Sequence, residues 1–326
     1  MSFYERITPF KTKVPYWLFW FTIGLSVFVA GEAVLVSAGE DRFLLQALFG
    51  AVSIAGWPTM FIWMSRRFQS VMERLSFLMW KDPNEFQQWL QQRTRRIFSF
   101  GRVYPIITSL IFGLGVPLTL VYLGIPVRNE LARYLGLAGL GFICFIGGHY
   151  AYVFIDLMVT LRDISERPIQ APFFRVPNPA ITDLQGFYSA VIAFIVVAYS
   201  SLVVAVWQSP YGLNSYLLIW LSVLGMYPLA MFVWTIYKTH GIVKKIKYTH
   251  VDIVNEQIQK ILSDAIENGD ATKYEQLDNA MSIQNKVQDT KEWPVSYTET
   301  FTFLLTMTAT ILQLLLSLTS VFSGRP

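Results

Sequence analysis

Charge is scarce in this chain: only 15% of its 326 residues are Asp, Glu, Lys or Arg, against roughly a quarter in an ordinary globular domain. Hydrophobic residues make up 53% and the mean hydropathy is +0.42. Together these exclude a soluble globular protein and a disordered one. Cysteine is nearly absent: Cys144 stands alone inside an apolar run, so no internal disulfide staples the fold. Three histidines, His149, His240 and His250, are too few and too scattered for a zinc site. No metal or cofactor is expected. The chain also lacks His-Glu-x-x-His, Gly-x-Ser-x-Gly and P-loop motifs, and on that ground it is read as a non-enzyme.

Long apolar runs are what the sequence has in quantity. A helix needs about 20 mostly apolar residues to cross a bilayer core of about 30 Å. Seven segments meet that need: 15–37, 44–64, 103–125, 134–161, 184–206, 214–237 and 298–322. Backbone groups in hydrocarbon must bond within their own segment, so the expected fold is all-α, a polytopic membrane protein of seven transmembrane helices. The first span is too long for a signal-peptide core and no small-residue cleavage site follows it, so it is expected to be retained.

Lys and Arg counts set the orientation. With the N-terminus inside, the cytoplasmic parts 1–14, 65–102, 162–183 and 238–297 hold 22 of the 26 basic residues. Only Arg42, Arg128, Arg133 and Arg325 lie outside. This predicts N-in and C-out in a cell membrane, with the basic surplus facing anionic headgroups rather than nucleic acid. Three regions follow: 1–237, a six-helix transmembrane region with cytoplasmic loops 65–102 and 162–183; 238–297, a cytoplasmic helical hairpin; and 298–326, the last transmembrane helix.

Within 65–102, Phe68, Val71, Met72, Leu75 and Leu78 recur at helical spacing. Asp82 caps a new helix with Pro83 in its first turn, and Phe86, Trp89 and Leu90 follow on one face. These helices either lie on anionic lipid or dock beneath the bundle. The 162–183 loop carries Pro168, Pro172, Pro177 and Pro179 and reads as a stiff crossover. In the hairpin, Val251, Val254, Ile258, Ile261 and Ala265 form a short seam spaced 3, 4, 3, 4, suited to a helix partner or a second subunit. Asn268-Gly269-Asp270 ends that helix; Tyr274, Leu277 and Met281 begin the next.

Ionisable groups inside spans are costly and each calls for a role. Glu32 either snorkels outward or pairs with Arg42. His149 and Asp156, seven apart, share a helical face. They could relay protons, or Asp156 pairs with Arg162 while His149 packs. Gly147 and Ala151 suit close helix contact.

The last span carries the sharpest pattern. Glu299, Thr302, Thr306, Thr310, Gln313, Ser317 and Ser320 fall within a stripe about 80° wide at 100° per residue. Such a stripe faces other helices or water. Facing water, it is a pore lining, with Glu299 as a carboxylate ring at the cytoplasmic mouth that favours cations. One helix cannot enclose a pore, so this requires several copies.

This plan resembles the seven-helix ion channels of the insect odorant and gustatory receptor type in topology, short outer loops and cytoplasmic anchor. Where gustatory-type channels carry Thr-Tyr, five apolar residues and Gln-Phe in the last helix, this chain has Thr302-Phe303 and Gln313-Leu314 at a different spacing. The resemblance implies a tetramer whose last helix lines the pore. The expected function is therefore a homo-oligomeric, cation-favouring ion channel conducting inorganic ions. The alternatives are a secondary transporter, or a non-catalytic scaffold that binds partners through its cytoplasmic helices. Pro58 and Pro228 would serve a transporter as helix breaks, but seven spans do not divide into equal halves and no internal repeat is present.

Overall fold

The computed structural model describes residues 15–37, 44–99, 102–122, 130–169, 179–207, 215–268 and 272–289. Among them are eight helices and no strands. They are α1 (Tyr16–Ser37), α2 (Leu44–Met79), α3 (Pro83–Phe98), α4 (Val103–Tyr122), α5 (Glu130–Glu166), α6 (Pro179–Trp207), α7 (Ser215–Asn268) and α8 (Thr272–Gln288). The last span expected at 298–322 lies outside the described residues, with all seven of its stripe positions. Among the described residues, four stretches are long and apolar enough to cross a membrane: Tyr16–Val34, Gly141–Glu166, Pro179–Ser200, and Pro83–Thr119, the apolar part of which is α4. The segments expected at 44–64 and 214–237 are helical throughout, within α2 and α7, apart from residue 214.

Three helices overrun their expected spans. α2 is 36 residues long, α5 37 and α7 54, so much of what reads as loop is a continuation of the spanning helix. Pro58 and Pro228 lie inside α2 and α7 without ending either. At Pro58 the missing N–H leaves a carbonyl without its usual donor. The Tyr150 hydroxyl donates nearby to the Trp57 carbonyl, and Thr59 Oγ1 donates to Ala55 O at 2.8 Å.

The core sits toward one end of the bundle, where these overruns meet. α2 contributes Phe61, Met64, Phe68, Val71, Met72 and Leu75, α3 Phe86, Leu90, Ile97 and Phe98, and α5 Tyr150, Val153, Leu157 and Leu161. α6 adds Leu184, Phe187 and Tyr188, and α7 adds Ile242 and Ile246. Phe68, Val71, Met72 and Leu75 have no solvent exposure and Leu78 has 2%. The apolar face of residues 66–98 is thus packed into the bundle. Asp82 caps α3 as expected, its carboxylate accepting from the Asn84 N–H at 2.8 Å.

Among the described helices α1 packs on α2 alone in any extent, with Trp17, Phe21, Leu25 and Val29 exposed along it. Glycines set the close approaches. A Cβ on Gly24 would stand 2.6 Å from the Ala51 carbonyl oxygen, and one on Gly113 2.8 Å from Phe145 Cβ. On α5 the contact residues against α4 are Gly141 and Gly148; among the described residues nothing stands within 4 Å of a Cβ on Gly147. Against α4 the close contact thus falls one position on from the expected Gly147, a shift of one residue rotating a side chain by about 100°.

α7 and α8 form the expected hairpin. Val254 and Ala265 are buried and Val251, Ile258 and Ile261 half-buried, so the seam is covered from within the same chain. On α8 the covered positions are Leu277, Ala280, Gln284 and Val287, with Gln284 Nε2 donating to Asn255 Oδ1 at 2.6 Å. Tyr274 and Met281 on the same helix are 59% and 48% exposed.

Candidate functional site

The polar residues of the described bundle gather where α2, α3, α5, α6 and α7 come together. Asp156 is the deepest, its side chain 3% exposed. It sits on the inner face of α5 between Val153 and Leu157, both buried, so its charge needs a partner from a neighbouring helix. Arg96 supplies it: Nε lies 2.9 and 3.0 Å from the two carboxylate oxygens. The Tyr152 hydroxyl donates toward the same carboxylate at 3.2 Å, with the Arg96 carbonyl at 3.3 Å.

Two further rungs join α3 to α5. Arg93 pairs with Asp163, and Arg167, just past the end of α5, reaches Glu85 at 3.4 Å. α3 runs antiparallel to the end of α5, so 85, 93 and 96 meet 167, 163 and 156 in order. Arg167 also lies over Trp80 at 4.3 Å and Trp89 at 5.5 Å from the ring centroids, which closes the α2–α3 turn over the end of α5. From α7, Lys245 Nζ donates to the Arg167 carbonyl at 2.6 Å and the Glu166 carbonyl at 3.3 Å. It thereby satisfies acceptors that the helix end leaves open and sets a positive charge at the negative pole of α5. On the other flank, Asp183 in the second turn of α6 accepts from Arg67 at 2.9 Å and from Arg74.

The pairing of Asp156 with Arg162 is corrected by this geometry. Arg162 turns outward to Glu166 at 2.8 Å, and Arg96, which the spacing within α5 cannot reveal, takes its place. His149 is fully buried with its ring 4.9 Å from that of Phe61; it packs within an aromatic cluster two turns from Asp156. Glu32 keeps one oxygen buried, without a hydrogen-bond partner among the described residues. Arg42, its expected partner, lies outside them. The sequence gives Asp163, Asp183, Arg67, Arg74 and Arg93 no partners. The available signal was spacing: Arg67 and Arg74, like Asp156 and Asp163, stand seven apart and so share a face of their helix.

This cluster is built of fixed opposite charges. Among the described residues no group of three or more His, Cys, Asp or Glu could hold a metal. Its chemistry is to lock helices together. No protein family, curated protein or solved structure matches this chain. Its function is therefore argued from the residues alone.

Proposed function

We propose that the protein is a seven-span channel of a cell membrane, N-in and C-out, in which several copies, four by the resemblance, surround a cation-favouring pore lined by residues 298–322. The polar stripe from Glu299 to Ser320 carries this reading: a stripe of that length should not face lipid. The topology draws support from the ion pairs. Segments 65–102, 162–183 and 238–297, assigned to one side by their basic residues, meet through Arg67–Asp183, Arg167–Glu85 and Lys245 on the end of α5. The 22-to-4 excess of Lys and Arg makes that side the cytoplasm.

The first test is the mass of the purified protein in nanodiscs by native mass spectrometry. A closed oligomer permits a central pore, whereas a monomer removes this proposal. In bilayers, Thr306→Leu is expected to cut unitary conductance severalfold while the protein still assembles. Glu299→Gln is expected to lower cation preference, read as a shift in reversal potential under a salt gradient. Wild-type currents from both variants would take the last span out of the pore.

A scaffold role is the second reading, favoured by one observation. Leu262 and Ile266 on α7 and Tyr274 and Met281 on α8 are 43%, 72%, 59% and 48% exposed, and in an antiparallel pair each couple projects to the same side of the hairpin seam. Ile266→Asp with Tyr274→Asp should then abolish co-purification of a cytoplasmic partner from native membranes without lowering thermal stability. Partner retention at wild-type level would remove this reading.

A further inference from the structure

We propose that Gly241 of α7 forms the floor of a notch that takes the phosphate of an anionic phospholipid headgroup. The outward stripe of α7 runs Met226, Ala230, Val233, Tyr237, Gly241, Lys244 and Tyr248, each exposed, while Thr235, Thr239, Ile242 and Ile246 on the opposite face are buried. From Met226 to Lys244 the chemistry passes from apolar to aromatic to cationic within about five turns, the order in which a helix leaves hydrocarbon for headgroups. Gly241 lies at the transition. Unlike Gly24, Gly113 and Gly148, which are buried, it is exposed, and among the described residues a Cβ there would find nothing within 4 Å. Glycine inside a helix is unfavourable relative to alanine, and packing among the described residues gives no reason for it here. A ligand approaching the backbone from outside does.

Two cations frame the opening. Lys238 and Lys244 stand three residues before and after Gly241, about 9 Å apart along the axis and to either side of it around the helix. Both ammonium groups are steered by aromatic rings. Lys238 Nζ is 5.1 Å from the Trp234 centroid and 5.8 Å from that of Tyr237, and Lys244 Nζ is 5.7 Å from that of Tyr248. An ammonium has three N–H donors, so one turned to a ring face still has others for an oxygen acceptor. Lys245, one residue on, points to the end of α5 and takes no part. Glu166, which feels the charge of Lys238, is held by Arg162. A phosphate diester matches this frame: one negative charge and two non-bridging oxygens, small enough to rest on a glycine. The inference uses only the membrane-embedded character of the chain and stands apart from the channel proposal.

The test uses full-length protein in nanodiscs of phosphatidylcholine mixed with phosphatidylglycerol, with retained lipid counted by native mass spectrometry. Wild type should keep phosphatidylglycerol in preference to phosphatidylcholine. Gly241→Leu, which fills the notch and leaves every charge, should lower that preference about tenfold, as should Lys238→Gln with Lys244→Gln. Lys247→Gln, which removes a charge outside the frame, should leave it unchanged. Full preference in Gly241→Leu, or an equal loss in Lys247→Gln, would overturn the proposal in favour of diffuse charge attraction. Inorganic phosphate titrated against protein in phosphatidylcholine alone separates the sources. Saturable binding that Gly241→Leu abolishes would assign the notch to a soluble phosphate compound, overturning the lipid.

Discussion

Arg96→Leu is expected to destabilise the bundle by about 3 kcal/mol, measured by denaturant titration of the purified protein in detergent, because it strands the Asp156 carboxylate in an apolar interior. Asp156 is 3% exposed but Arg96 is 42% exposed, and that asymmetry orders the variants. Removing the arginine leaves a buried charge with the Tyr152 hydroxyl as its remaining side-chain donor among these three groups. Removing the carboxylate as Asp156→Asn leaves a guanidinium that can turn to water, at a cost of about 1 kcal/mol. The figure for Arg96→Leu stands at the low end for broken buried pairs, since solvent already screens part of this one. Joining Arg96→Leu to Asp156→Leu should recover most of the loss, because a paired apolar replacement leaves no unmet charge. Equal effects from the two single variants, or no recovery in the double, would show that the pair does not govern the stability of the α3–α5 contact.

The parts of this structure that were legible in sequence share one property: their signal is local. Apolar length gave α1, α4 and α6. The cap at Asp82 and the stop at Asn268 fall where their residue types dictate, and the 3–4 spacing from Val251 to Ala265 marks the covered face of α7. A seam of two heptads does not specify its partner, and α8 turned out to cover it within the chain. What stayed hidden was pairing between helices. Asp156 has Arg162 six residues away on its own helix and Arg96 sixty residues away, and only the antiparallel run of α3 beneath α5 brings the second within reach. The same blindness assigned the close helix contact to Gly147. Periodicity finds a face to within a residue or so, and in a stretch reading Gly147-Gly148 the error of one position separates a Cβ that meets none of the described residues from one that meets a backbone.

That one-position difference yields the other large prediction. Gly148→Ala is expected to cost about 2–3 kcal/mol and Gly148→Leu more, whereas Gly147→Ala should be neutral or stabilise by up to about 1 kcal/mol. A Cβ on Gly148 would sit 2.5 Å from the Thr108 carbonyl oxygen and 2.8 Å from Ser109 Cα. These are backbone atoms, so relief requires α4 as a whole to move away from α5. The opposing pair farther along, Gly113 and Gly141, resists that, since a Cβ on Gly141 would lie 3.0 Å from the Gly113 carbonyl, and separating the helices opens a void over this second contact too. At Gly147 no atom of the described residues stands within 4 Å of an added Cβ, and alanine there gains helix propensity with none of them to displace. Small residues let helices in hydrocarbon approach closely enough for dispersion to replace the missing hydrophobic drive. α4 has α5 as its principal support among the described helices, so its placement depends on that approach. Melting temperatures of Gly147→Ala and Gly148→Ala in the same detergent decide the matter. A fall for Gly148→Ala alone places the contact at 148, and a fall for Gly147→Ala alone would return it to 147 and reject the observed rotation of α5.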